Sequence, residues 1–73
     1  MIIKLNLTLV NLAGNKEFIL SIQGSMALTD VLDEINLSKN DIGMIIKNDR
    51  WAPLECLVEE NDVVQLFPHL EGG

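Results

Sequence analysis

The chain has 73 residues, 48% of them apolar, and a formal net charge of −6 from 11 acidic and 5 basic side chains. This length makes one small domain near the lower limit for folding around a buried core, and the apolar content argues against disorder. The acidic charge disfavours nucleic acid and anionic membranes as partners, and no apolar run is long enough to cross a bilayer. The first residues alternate like a strand and lack the layout of a signal peptide, so we expect a cytoplasmic protein.

Cysteine and histidine each occur once, as Cys56 and His69. A single cysteine excludes an internal disulfide and a cysteine-built metal site. We also expect that the chain binds no metal and no cofactor. Nucleophilic catalysis needs a nucleophile next to an activating base, and this sequence offers no such pair. We therefore expect that the chain is not an independent enzyme.

Two alternating segments open the chain, at residues 2–10 and 17–23. Alternation of apolar and polar side chains predicts a strand with one buried face, and Gly14-Asn15 between the segments is a turn signal. The sequence therefore predicts a hairpin. The side chains expected to face inward are Ile3, Leu5, Leu7, Leu9, Phe18, Leu20 and Ile22.

A helix is predicted after the hairpin, because apolar residues recur there at the spacing of one helical face. This stripe comprises Leu28, Val31, Leu32 and Ile35. Residues 42–47 and 63–67 are predicted strands, and residues 51–54 a short strand that Pro53 restricts to a sheet edge. A helix of this kind buries its stripe only by lying across a sheet, so residues 1–67 are expected to form a two-layer α+β domain.

The final six residues, 68–73, are expected to form a flexible tail. Pro68 ends the last strand because it has no N–H group to donate. The tail spans about 20 Å when extended, at roughly 3.3 Å per residue. Gly72 and Gly73 have no Cβ, so they fit a channel too narrow for other residues.

A partner surface is predicted on the sheet. Lys47 and Gln65 suggest that their strands turn these positions outward, and Ile45, Val63 and Phe67 share that alternation. Apolar residues on an exposed sheet face mark an interaction site when they are contiguous. The residues predicted to bind partners are Ile45, Val63, Phe67, Pro68 and Leu70, and the open alternative is that some of them belong to the core.

The C-terminal motif resembles that of a known family. Asp62-Val63-Val64-Gln65-Leu66-Phe67-Pro68, followed by Gly72-Gly73, is similar to the end of ubiquitin-like sulfur carriers of the MoaD/ThiS family, and is closer to the small subunit of molybdopterin synthase. The resemblance implies a β-grasp fold, with a mixed sheet of four to five strands and one main helix packed across it. Asp49, His69 and Glu71 depart from the family pattern, and Glu71 bears on the choice of partner.

The resemblance also implies a function. A partner activating enzyme would use ATP to adenylate the carboxylate of Gly73, which would then become a thiocarboxylate, with Gly72 providing steric access. The carrier would donate this sulfur, with a sulfur-accepting synthase subunit as second partner, in the biosynthesis of molybdopterin or, alternatively, of thiamine or thiolated tRNA. Two alternatives stay open: a ubiquitin-like modifier that forms isopeptide bonds through Gly73, and a non-catalytic β-grasp interaction module.

Overall fold

A computed structural model describes residues 1–69 of the protein. Within them, the main sheet has five strands in the order β2-β1-β7-β4-β5, and β1 runs parallel to β7 while the other neighbours are antiparallel. The strand bounds are β1 Ile2–Leu5, β2 Glu17–Ile19, β3 Ser25–Ala27, β4 Met44–Lys47, β5 Arg50–Ala52, β6 Leu57–Glu59 and β7 Val63–Phe67. The helices are α1 Thr8–Ala13 and α2 Leu28–Glu34, with a 3-10 turn at Lys39–Asp41.

The core lies between α2 and one face of the main sheet. All four residues of the predicted helical stripe are buried, which confirms that their spacing marks the buried face of a helix. They pack against the inward side chains of the three central strands: Ile3, Leu5, Ile45, Val64 and Leu66. A short antiparallel pair, β3 with β6, lies apart from the main sheet. The architecture is a compact β-grasp, as predicted, with the last strand between the first strand and β4.

The first predicted strand is shorter than expected. It ends at Leu5, and the chain turns at Leu7, whose φ of 56° lies in the left-handed region. Leu7 is therefore exposed, and α1 follows from Thr8 until Gly14 ends it in the left-handed conformation. Leu9 still reaches the core, but from a helix and not from a strand.

Asp62 organises the turn that leads into β7. One carboxylate oxygen accepts from the side-chain amide of Asn48 at 2.8 Å, and the other accepts from the backbone N–H of Glu59 at 2.8 Å. Asn48 in turn accepts from the N–H of Val63 at 2.9 Å. The carboxylate therefore joins the turn after β4 to the start of the central strand.

The Asp62 carboxylate should make stability depend on pH. Burial alone raises the pKa of Asp62, but the hydrogen bonds from Asn48 and Glu59 outweigh it and lower the pKa below its ordinary value. Its stabilising effect should therefore be complete above the pKa of the unfolded chain and disappear as pH falls through the lower folded value. Asp62→Asn loses one acceptor oxygen, so we expect it to reduce the free energy of unfolding at pH 7 by about 1 kcal/mol.

Urea unfolding of the wild type and Asp62→Asn, measured from pH 3 to pH 7, tests this prediction. The difference between the two proteins should narrow below about pH 4, near the ordinary pKa of aspartate. Glu55→Gln, at an exposed position outside this turn, is the matched control for loss of one negative charge. A difference that stays constant with pH, or an equal effect of Glu55→Gln, would contradict the role of Asp62.

Candidate functional site: the outer sheet face and the chain exit

The face of the main sheet opposite α2 carries several apolar side chains. Strand alternation and register place two groups on it, at diagonally opposite corners. The first, which we call the exit patch, comprises Met44, Ile46, Trp51 and Phe67. The second, which we call the distal patch, comprises Ile2, Ile19 and Val63. Gln65 and Lys4 lie between the two groups in the middle of the face.

The exit patch contains two aromatic residues, of which Trp51 is the more exposed. Trp51 is 69% exposed and pairs with Ile46 across β4 and β5. Trp51 thus stands on the outer face of the sheet. Met44 pairs with Phe67 one row further along the sheet. Large apolar side chains left exposed beside one another are typical of a protein-binding surface.

Phe67 and Val63 both lie on the outer face, as the alternation predicted, and both are half-buried. They are separated by four residues of one strand, or roughly 13 Å at 3.3 Å per residue. Val63 therefore belongs to the distal patch and Phe67 to the exit patch. Their roles in partner binding stay predictions.

The prediction that Ile45 faces outward is wrong. Ile45 is only 3% exposed and pairs with Leu66 within the core. The error came from Lys47. Alternation places Lys47 on the same face of β4 as Ile45, but Lys47 lies at the end of the strand. There its ammonium group leaves the core and donates to the backbone carbonyl of Leu57 at 3.0 Å.

The chain leaves the domain at the end of β7, next to the exit patch. The N–H of Gly43 donates to the carbonyl of Phe67 at 2.8 Å, and Pro68 is half-buried. The His69 ring nitrogen Nε2 lies 2.9 Å from the carbonyl oxygen of Asn40. A depression of about 320 Å³ at this point is lined by Gly43, Met44, Trp51, Pro68 and His69.

The remaining predicted site residues, Leu70, Gly72 and Gly73, lie outside the described residues. Pro68 is the one predicted partner-binding residue at the chain exit itself, where it contributes to the lining of the depression. Gly43 lies within the predicted strand 42–47 and was missed, because a glycine in a strand pattern does not show which distant segment of the chain approaches it. The approach of Pro68 and His69 to Gly43 is visible only in the folded structure, in which β4 pairs with β7.

Cys56 is half-buried, and burial raises the pKa of its thiol, with Lys47 partly opposing this effect. A thiol with a raised pKa stays protonated at neutral pH and is a poor nucleophile. Among residues 1–69, no cluster of three or more His, Cys, Asp or Glu side chains is placed to hold a metal ion. No helix in this part of the chain is long and apolar enough to cross a membrane.

Comparison with solved structures identifies the fold class as β-grasp, the ubiquitin-like fold. SAMP1 from Haloferax volcanii is similar with a TM-score of 0.76 and 23% identity, over 100% of this chain and 98% of that one. A Pyrococcus furiosus protein described as molybdopterin converting factor, subunit 1, is similar with a TM-score of 0.72 and 20% identity, over 94% and 95%. No protein-family model matches the chain, and no curated protein sequence does.

Proposed function

We propose that the protein is a sulfur carrier of the MoaD/ThiS type, and that Gly73 bears the sulfur as a thiocarboxylate. One observation carries this proposal: the central strand β7 ends beside the exit patch, and the sequence then runs through Phe67-Pro68 to Gly72-Gly73. The fold is that of the Pyrococcus protein described as a subunit of molybdopterin converting factor, which favours the molybdopterin branch. Thiamine biosynthesis and tRNA thiolation are the other pathways in which such a carrier would serve.

The chemistry requires activation, because a carboxylate is resonance-stabilised and does not exchange oxygen for sulfur. A carboxylate oxygen of Gly73 attacks the α-phosphorus of ATP and releases pyrophosphate, which yields an acyl-adenylate. Hydrogen sulfide anion, or an equivalent sulfur donor, then attacks the acyl carbon. The bond to the AMP oxygen breaks, and AMP leaves with the electron pair. The product is a thiocarboxylate that is ionised at neutral pH and nucleophilic.

The chain would be a co-substrate and not the catalyst of these steps. Its contribution is position: the folded domain docks on a partner and brings the terminal group to the reacting centre. ATP and the acid–base groups belong to the activating enzyme, and the chain itself would bind no cofactor. A second partner, the sulfur-accepting synthase subunit, would receive the thiocarboxylate in the cytoplasm.

The exit patch is the surface that we assign to partner docking. It lies at the point where the chain continues toward Gly72 and Gly73, so a partner bound there also meets the reacting terminus. The net charge of −6 favours a partner with a basic rim around an apolar centre, an arrangement that speeds encounter more than it tightens the complex.

The test is the intact mass of the protein after incubation with its activating enzyme, ATP and a sulfur source. We expect a gain equal to replacement of one oxygen by sulfur, and no gain in a variant that lacks Gly73. With sulfur omitted, the acyl-adenylate should accumulate. An unchanged mass under both conditions would refute the proposal, and lysine-linked adducts of higher mass without sulfur incorporation would favour the protein-modifier alternative.

A further inference from the structure

We infer that Gly43 and His69 are positioning residues that fix the direction in which the chain leaves the domain. Their importance for sulfur transfer rests on the proposed function, but the restraint itself rests on the geometry of residues 40–69. Neither residue belongs to the exit patch. They act on the backbone that leads out of β7.

Gly43 permits a close passage of two backbone segments. A Cβ at this position would lie 2.6 Å from the Pro68 carbonyl oxygen, 2.6 Å from the Cα of His69 and 2.7 Å from its nitrogen. These are backbone atoms, so no side-chain rotation relieves the overlap. The φ of Gly43 is not positive, so its own backbone would tolerate another residue. The requirement for glycine therefore comes from the departing chain.

His69 supplies a second point of attachment. Its ring is exposed, yet Nε2 lies 2.9 Å from the Asn40 carbonyl oxygen, a distance at which the ring N–H donates to the carbonyl. Asn40 belongs to the 3-10 turn Lys39–Asp41, which ends two residues before Gly43. One short segment, residues 40–43, thus holds the departing chain at two places.

Three consecutive residues of the departing chain are restrained as a result. The carbonyl of Phe67 is bound by Gly43, the ring of Pro68 fixes its φ near −65°, and the side chain of His69 is bound to Asn40. Together, these three restraints set the direction of the backbone at residue 69. A domain that delivers a tethered group benefits from this, because a displacement of about 1 Å at a reacting centre can reduce a rate about 100-fold.

Solution NMR tests the restraint without any partner. In the wild type we expect nuclear Overhauser contacts between the His69 ring and Asn40, and an ordered orientation of the His69 backbone N–H. His69→Ala should remove that order. His69→Gln, which keeps an N–H donor at a similar distance from the backbone, should restore it. Asn40→Ala retains the backbone carbonyl and should resemble the wild type, so it is the matched control.

Adenylation kinetics with the activating enzyme test the consequence. Gly43→Ala should lower kcat about 10- to 100-fold with a change in KM of less than about threefold, because the docking surface is intact but the heading of the chain is altered. His69→Ala should lower kcat about three- to tenfold, with rescue by His69→Gln. If Gly43 and His69 had only a structural role, the variants would instead lose thermal stability, and kcat would not fall selectively relative to KM.

The results separate the two proposals. The inference would be overturned if residue 69 kept its order in His69→Ala. It would also be overturned if Asn40→Ala lost as much order at residue 69 as His69→Ala does. An increase in KM at constant kcat in Gly43→Ala would also overturn it, since the residue would then act in docking. If the wild type is not adenylated at all, the proposed function fails, while the NMR result still decides whether the restraint exists.

Discussion

Replacing Ile45 with alanine should lower the free energy of unfolding by about 2–4 kcal/mol, which lies within the range for truncation of a buried aliphatic side chain to alanine. Ile45 is 3% exposed and faces Leu66 in the middle of the core. The cavity left by alanine is bounded by strands on both sides, so the surroundings have little freedom to collapse. For a domain of this size, such a loss corresponds to a fall in Tm of roughly 10–25 °C.

Ile46 provides a matched control, since it is the same residue type one position along the same strand and faces the opposite way. Ile46 is half-buried on the outer face, so Ile46→Ala should cost about 1 kcal/mol or less. Urea unfolding of both variants, at constant denaturant slope, measures the difference. Equal losses would mean that the two faces of β4 have been assigned wrongly.

Replacing Phe67 with alanine should weaken binding to the proposed activating enzyme by about 10- to 100-fold, because a central aromatic residue in an interface commonly contributes about 1.4–2.7 kcal/mol. Phe67 pairs with Met44 in the exit patch and precedes the chain exit directly. Its side chain is half-buried on the outer face, so the domain should remain folded. Isothermal titration calorimetry or surface plasmon resonance gives the affinity.

Two further measurements define the effect of Phe67→Ala. Ile19→Ala, in the distal patch and 76% exposed, is the control for loss of an apolar side chain from the same face. It should change the affinity less than about threefold if docking is centred on the exit patch. A loss of thermal stability as large as that of Ile45→Ala would instead show that Phe67 supports the core, and unchanged affinity would remove it from the interface.

Much of the fold follows from periodicity that the tertiary structure leaves intact. The stripe from Leu28 to Ile35 predicted α2, and the alternation of residues 63–67 predicted β7, because each element has one buried face. The extension of the first strand to residue 10 was wrong for a physical reason. Leu7 and Leu9 continue the alternation, but the backbone turns at Leu7 without a glycine or proline to mark the turn.

The candidate site was less predictable than the fold. The outward face of β4 was assigned from the charge of Lys47, and this assignment was wrong. Lys47 lies at the end of the strand, where its side chain is long enough to carry the ammonium group out of the core. Gly43 depends on the approach of Pro68 and His69, which are distant in sequence. A contact of this kind has no local pattern. The terminal glycines were recognisable from sequence alone, and their proposed chemistry stays a prediction.

The position of β7 has a consequence for how the protein folds. The strand at the centre of the sheet is the last of the strands described in residues 1–69 to be synthesised. It pairs with β1 across about sixty residues of chain, a non-local contact typical of millisecond-to-second folding. Synthesis proceeds from the N-terminus. Until residues 63–67 arrive, β1 and β4 each keep an open hydrogen-bonding edge, which is a template for pairing with other chains. The nascent chain is therefore most exposed to aggregation just before the strand that carries the tail is in place.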